Sequence, residues 1–424
     1  MSASIASAGS SATRRAVTGD IPPGGGRRAV VGISGGVDSA LSAWRLQRAG
    51  YRVSGLFMVN WTEDEAGYCS SAEDFQSARA VCQELGIPLH RVDFSAEYQH
   101  AVFEPFLREY AAGLTPNPDV LCNRAVKFGP FVDYALRLGA DVVATGHYAQ
   151  LRQAADGPHL LRARDENKDQ TYFLATVERA RFSRVLFPVG DLTKPEVREL
   201  ARRAGLPNHA RPDSTGICFI GERRLKPFLD RYLAARPGPI EDREGRILGA
   251  HEGLASYTLG QRRGLAIGGT RGARQAPWYV IAKDPARNAL IVSQDRNDPA
   301  LYAHAALVSR FHWLQPPPRS VPLAARIRHR QPLQAAALAN GGDGRLRVAF
   351  ERPQRAAVPG QYVVLYAGEE CLGGGEIDAT EPAMHVATQA PPRASRSPDG
   401  RSGEGNGRTA ARKDAMPAED ARTF

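Results

Sequence analysis

Cysteine is scarce: five in 424 residues, widely spread, with no Cys-x-x-Cys pair. An odd, scattered set argues against a disulfide framework and a zinc knuckle, and fits free thiols in a reducing cytoplasm. Long apolar runs are missing too. No window reaches the roughly eighteen consecutive apolar residues of a membrane helix, and no apolar segment follows the N-terminal Met. The chain is therefore expected neither to span a membrane nor to be secreted. It also lacks any Gly-Lys-Ser or Gly-Lys-Thr, the ending of loops that transfer γ-phosphates, which disfavours kinase and motor chemistry. No internal repeat is evident.

With 42% hydrophobic residues, the chain has enough apolar side chains for two or three packed domains. Its net charge of +10 suggests a polyanionic partner, but the charge is unevenly placed. Residues 29–222 carry 21 basic and 24 acidic side chains, whereas 223–300 carry 14 and 8. The basic surface belongs to the middle of the chain, where an arginine-rich solvated face is as good a reading as a nucleic-acid footprint. Residues 1–27 and 385–424 are poor in large apolar side chains and read as disordered extensions.

Between these ends the pattern alternates. Ala29–Ile33 is an apolar run, Asp38–Ala49 has helical spacing stopped by Gly50, and Arg52–Val59 alternates as a strand. Glu73–Leu85 and Phe131–Leu138 read as helices, Leu89–Phe94 and Asp141–Thr145 as strands, and Lys194–Ala204 as a further helix. Strands alternating with helices imply an α/β domain built on a parallel sheet. After about Gly221 the runs become short, β-rich and broken by Gly and Pro, as in Ala276–Ile281, Ala289–Val292 and Leu346–Phe350.

The strongest local signal is Ser34-Gly35-Gly36-Val37-Asp38-Ser39, set between the first strand and the first helix. Two glycines let the backbone approach an anion, and the helix N-terminus supplies partial positive charge for phosphate oxygens. Asp38 stands where a γ-phosphate loop needs a cation. It suits a magnesium ion shared with a pyrophosphate, as in enzymes that split ATP between its α and β phosphates. That loop is common to amide-forming synthetases and RNA thiolases, so it names a step and no substrate.

Other motifs choose. They are Thr115-Pro116-Asn117-Pro118-Asp119-Val120-Leu121-Cys122-Asn123, Thr145-Gly146-His147-Tyr148, Lys168-Asp169-Gln170 and Asp213-Ser214-Thr215-Gly216-Ile217-Cys218-Phe219-Ile220-Gly221. With Gly55–Met58, Tyr257–Gly264 and Gly360-Gln361, they closely resemble the bacterial tRNA-specific 2-thiouridylases, from about Ala29 to Ile377. The resemblance implies an ATP-pyrophosphatase domain over 28–222, a basic tRNA-binding central domain over 223–298 and a C-terminal β-barrel over 299–384. It further implies that Gly32, Ile33, Ser34, Gly35, Gly36, Val37, Asp38, Ser39, Met58 and Gly146 hold ATP. By the same resemblance, Cys218 carries a persulfide and Cys122 is the second catalytic thiol. Asn117, Pro118, Asp119, His147, Lys168, Asp169, Gln170, Arg328, His329 and Gln361 fall at positions that meet tRNA, although His329 stands where Tyr is expected. Implied partners are tRNAs for Lys, Glu and Gln, and a cysteine desulfurase with small relay proteins as sulfur source. ATP is the implied co-substrate, with Mg²⁺.

The chemistry demands such parts. The C2 oxygen of uracil is a poor leaving group, so activation as an adenylate must precede sulfur transfer, and the base must be reachable, as a wobble uridine is in an anticodon loop. Asp119 is read either as a proton shuttle or as a cap on the turn before Cys122. Cys69, Cys82 and Cys371 are expected to be buried structural residues. Two competing classes remain: an amide-forming ATP pyrophosphatase, which needs no paired cysteines, and a non-catalytic tRNA- or nucleotide-binding module, against which Asp38, Cys122 and Cys218 argue.

Overall fold

The computed structural model describes residues 21–61, 70–213, 225–267, 276–318 and 320–383. Cys69, Cys218 and the expected tail over 385–424 lie outside the described residues.

A strand buried on both faces is apolar at nearly every position. β1 (Arg28–Gly32) has that composition, with Ala29, Val30 and Val31 at most 3% exposed. Helix α1 (Val37–Arg48) follows, and Gly50 at φ +86° turns the chain back into β2 (Arg52–Val59). Helix α2 (Ser70–Glu84) and β3 (Leu89–Asp93) complete one wing of the sheet. After the short helix α3 (Pro118–Cys122), β4 (Val142–Ala144) and β5 (Val185–Leu186) form the other wing. All pairings are parallel, in the order β3-β2-β1-β4-β5. Ala43 and Leu46 of α1 and Ala78 and Cys82 of α2 pack on one face of the sheet. Phe131, Val132 and Ala135 cover the other, against Val30 and Val143. The chain runs outward from β1 in one direction and then in the other, so a crevice opens at the C-terminal ends of β1 and β4. Open α/β sheets bind ligands at such a crevice.

Three local features differ from the sequence expectation. Residues 21–27 were expected to be disordered but are packed: Gly24 N–H donates to Ala49 O at 2.7 Å, Gly26 N–H to Gly50 O at 3.0 Å, and Ile21 joins the core. Glycines at 24–26 allow this approach, and low hydrophobicity concealed it. The helix expected over Phe131–Leu138 begins at Val132, because Pro130 interrupts a wide-turned stretch over Asn123–Phe131. The hairpin Gln150–Ala154 and Gly157–Leu161, turning at Ala155-Asp156, joins the C-terminal sheet through Leu161 opposite Glu370.

That C-terminal sheet has ten strands among the described residues, with the Tyr362–Ala367 and Glu370–Glu376 pair beside the hairpin. Tyr362, Val364, Tyr366 and Cys371 share one core with Val120, Cys122 and Tyr172 of the α/β part, so the two pieces are packed as one body. The central segment forms a four-stranded sheet with a small core around Ile240, Val280, Leu290 and Val292. No described helix is long and apolar enough to cross a membrane.

Candidate active site

The loop between β1 and α1 is held from outside. Gly35 lies at φ +82°, and a Cβ there would stand 2.5 Å from Asp74 O. Its carbonyl accepts from Ser77 Oγ at 2.8 Å, Asn208 Nδ2 at 2.8 Å and Arg211 Nη1 at 3.2 Å, which fixes the peptide's orientation. Inside the loop, Ser39 Oγ donates to Gly36 O at 3.0 Å and lies 3.3 Å from Ser34 Oγ. Gly146, just past β4, is pressed on the start of α1: a Cβ would meet Ser39 N at 2.7 Å and the Asp38 carbonyl carbon at 2.9 Å. Only glycine lets the two strand ends close this far. Gly32 ends β1 with Ile33 after it, Gly146 follows its neighbour β4, and Met58 lies on β2, the strand on the other side.

Asp38 is not alone. Lys194 Nζ donates to both of its carboxylate oxygens at 2.8 Å, and Tyr148 Oη donates to Oδ1 at 2.8 Å. Burial first, then the Asp38 charge, drives the Tyr148 phenol far above its ordinary pKa, so it stays a donor. Lys194 also reaches Asp213 Oδ1 at 2.8 Å, where Arg198 arrives at 2.7 Å, and Lys168 bonds Asp213 Oδ2. Burial alone would raise the Asp213 carboxyl, but Lys168 and Lys194 outweigh it and hold it at about 2. Among the described residues no group of three or more His, Cys, Asp or Glu forms a metal cage. Magnesium bound with a nucleotide needs only one or two carboxylates, because phosphate oxygens and water complete its shell. The partly exposed Asp38 carboxylate fits that requirement.

The second cluster surrounds Cys122. Asn117 caps α3 by accepting from Val120 N–H at 3.4 Å, so the cap is Asn117 and not Asp119. Burial lifts the Asp119 carboxyl above the usual range against the pull of Lys127. Pro118 lies in the first turn and Cys122 at the last position, 3% exposed. Asn117 Nδ2 donates to Gln361 Oε1 at 3.4 Å, and Gln361 Nε2 donates to Thr115 O at 2.8 Å, across 244 and 246 residues of chain. Gly360 at φ +89° makes the approach possible, since a Cβ would meet Thr115 N at 2.9 Å.

The remaining expected tRNA contacts are placed unequally. Lys168 pairs with Asp213, and Gln170 Oε1 accepts from Tyr148 N–H at 2.9 Å. His147 is buried between Phe128 and Phe187, with Nδ1 2.8 Å from Thr145 Oγ1. Burial, then Lys127, depresses it well below the ordinary histidine range, which makes it neutral. Asp169 is 1% exposed: it accepts from Arg326 Nη1 at 2.9 Å, Thr171 Oγ1 at 2.9 Å and Ala163 N–H at 3.2 Å. Its carboxylate is enclosed by protein and faces no open surface. Arg326 also donates to His329 O at 3.2 Å, and the His329 ring lies 4.5 Å from Phe173. Arg328 is exposed and bonds the Arg355 carbonyl. Cys82 and Cys371 are buried, and burial pushes the Cys82 thiol up to about 11.

Family models match the chain in three consecutive pieces: a tRNA methyl transferase HUP domain over 27–222, a tRNA methyl transferase PRC-barrel domain over 226–294, and an aminomethyltransferase beta-barrel domain over 303–377. A tRNA-specific 2-thiouridylase MnmA of Methylococcus capsulatus is 55% identical over 356 residues, covering 83% of this chain and 96% of that protein. The corresponding protein of Pseudomonas paraeruginosa is 53% identical over 84% of this chain and 95% of its own. The chain belongs to the tRNA-specific 2-thiouridylase family. It is an enzyme, a tRNA sulfurtransferase. The models' descriptions speak of methyl transfer, but identity above 50% along nearly the whole of these relatives decides for thiolation. A U34-tRNA thiolase NcsA of Methanococcus maripaludis is far more distant, at 17% identity and a TM-score of 0.32 over 46% of this chain and 62% of its own.

Within this 2-thiouridylase, sequence reasoning assigned no role to Lys194, Tyr148, Arg198 or Arg326. Tyr148 and Asp213 lie inside the Thr145–Tyr148 and Asp213–Gly221 motifs, which is the signal that could have found them. Lys194 gave no signal, because a Lys-Pro pair after Thr193 looks like any helix start.

Proposed function

We propose that this 2-thiouridylase activates the C2 oxygen of the wobble uridine, position 34 of tRNA, with ATP and replaces that oxygen with sulfur from a Cys218 persulfide. In the first step the uracil oxygen attacks the α-phosphorus, and the bond to the β-phosphate breaks with its electron pair leaving on pyrophosphate. In the second, the terminal sulfur reaches C2 and AMP departs. If the persulfide attacks directly, the Cys122 thiolate displaces the transferred sulfur from Cys218. If Cys122 first releases hydrosulfide, that hydrosulfide attacks C2. Either route takes the transferred sulfur from the persulfide to the thiocarbonyl level and leaves a Cys122–Cys218 disulfide, so atoms and electrons balance.

The observation that carries this reading is the anchored Ser34–Ser39 loop at the strand-order reversal, in a chain that also holds Cys122 on α3. In this reading Gly32–Ser39, Met58 and Gly146 hold ATP, and Asp38 helps hold a magnesium ion that supplies positive charge to the phosphates. Asp119, whose carboxyl burial lifts above the usual range, is the proton shuttle, now that Asn117 accounts for the cap. Asn117 and Gln361 together, with Lys168, Gln170, His147, Arg328 and His329, form the surroundings of the target base. Asp169 acts from behind them by holding Arg326. Residues 28–222 are the catalytic domain, 223–298 the basic domain that grips stem phosphates, and 299–384 the barrel that closes the site. Sulfur comes from a cysteine desulfurase through relay proteins, the tRNAs are those for Lys, Glu and Gln, and the compartment is the cytoplasm.

Asp38→Ala tests the ATP reading. It removes a magnesium ligand and no RNA-gripping cation, so tRNA-dependent pyrophosphate release is expected to vanish while tRNA affinity in a filter-binding assay stays within about twofold. Equal loss of both would reject the assignment.

A further inference from the structure

A buried ammonium is costly unless it is paired, and a structural ion pair needs only one carboxylate. Lys194, with its side chain 11% exposed, bridges two. It touches both Asp38 oxygens and Asp213 Oδ1, each at 2.8 Å, joining elements 156 residues apart. It is set at the first turn of helix α4 (Lys194–Arg203). There its backbone N–H donates to Asp165 at 2.9 Å, and the Thr193 hydroxyl donates to Glu196 at 2.9 Å. The position is therefore rigid.

Lys168, Lys194 and Arg198 converge on Asp38 and Asp213, with Asp165 beside them on the Lys194 backbone N–H, so cations are gathered next to the phosphate-type loop and Lys194 is the one that reaches Asp38 within it. γ-Phosphate loops carry their cation within the loop, whereas here the loop carries Asp38 and the cation arrives across the crevice from α4. We infer that Lys194 is the cation that contacts the β- and γ-phosphates of ATP and the departing pyrophosphate, with Asp213 and Tyr148 holding the Lys194–Asp38 pair in place. This rests on the reading that residues 34–39 bind ATP. The ammonium offsets negative charge that grows on pyrophosphate as its bond to the α-phosphorus breaks, where a fixed positive group counts most.

AMP and pyrophosphate separate this role from a merely structural one, because AMP has no β- or γ-phosphate. Lys194→Gln in the full-length protein is expected to weaken ATP and inorganic pyrophosphate binding by about 10- to 100-fold, the worth of one hydrogen bond to a charged group. AMP and tRNA affinities should stay within about twofold, and Lys194→Arg, which keeps the charge, should recover most of the loss. Should Lys194→Gln not fold, the double variant with Asp213→Asn relieves one unpaired carboxylate and carries the same comparison. Unchanged pyrophosphate affinity, or equal loss for AMP and ATP, would overturn the inference. Wild-type protein that binds neither ATP nor AMP would instead reject the ATP reading itself.

Discussion

Replacing Cys218 by Ser is expected to abolish both the protein persulfide and 2-thiouridine, while Cys122→Ser keeps the persulfide and loses nearly all of the product. The two variants must differ in this way, because in the proposed mechanism Cys218 receives sulfur whereas Cys122 only helps release it. Cys122 sits at the end of α3, 3% exposed in the core shared with Tyr172 and Tyr362. A buried thiol is usually inert, so its place on the short helix that Asn117 caps, and not its burial, argues for chemistry. Ser is close in size, and Cys122→Ser should therefore fold. Peptide mapping after loading with a sulfur donor checks the persulfide, and nucleoside mass spectrometry checks the product. A persulfide on Cys69, Cys82 or Cys371, or normal thiolation by Cys218→Ser, would contradict the mechanism.

Asp169→Ala is expected to cost about 3–5 kcal/mol of folding stability, because it leaves the Arg326 guanidinium buried without its carboxylate. The pair is 0% and 3% exposed and spans 157 residues, from the α/β part to the barrel. Arg326→Met combined with Asp169→Ala removes both charges and should recover most of the loss, since a buried pair often contributes little over apolar packing. Thermal or urea unfolding measures this. Asp169 is itself an expected tRNA contact, between Lys168 and Gln170, so the outcome also decides how it serves tRNA. Acting through Arg326 and the following Arg328 and His329, it should lower tRNA affinity only as stability falls. An Asp169→Ala protein of normal stability with weak tRNA binding would make it a direct contact.

Local features were legible. The passage from β1 through the Ser34–Ser39 loop into α1 is written in neighbouring residues, as buried Val and Ala, two glycines and helical spacing. Motifs also marked Cys122, Asn117 and Gln361 before the fold brought Asn117 to Gln361. What was not legible depends on partners far along the chain. The 150–161 hairpin takes its place only because Glu370 lies opposite Leu161, and Lys194 gains meaning only from Asp38 and Asp213. Asp169 and His147 were found as motif residues, but no pattern of neighbours says that one is enclosed by Arg326 and the other by two phenylalanines. Cys218 remained a sequence assignment, outside the described residues.

The most direct test is a single turnover of wild-type enzyme, preloaded with persulfide, on tRNA lacking the modification, with ATP and no reductant. Three products are followed together: 2-thiouridine by mass spectrometry, nucleotide products by chromatography, and disulfides by peptide mapping. Formation of 2-thiouridine with equimolar AMP and pyrophosphate, and a Cys122–Cys218 bridge appearing at the same rate, is the expected result. Thiolation accompanied by ADP and phosphate, or proceeding without nucleotide cleavage or without that bridge, would contradict it.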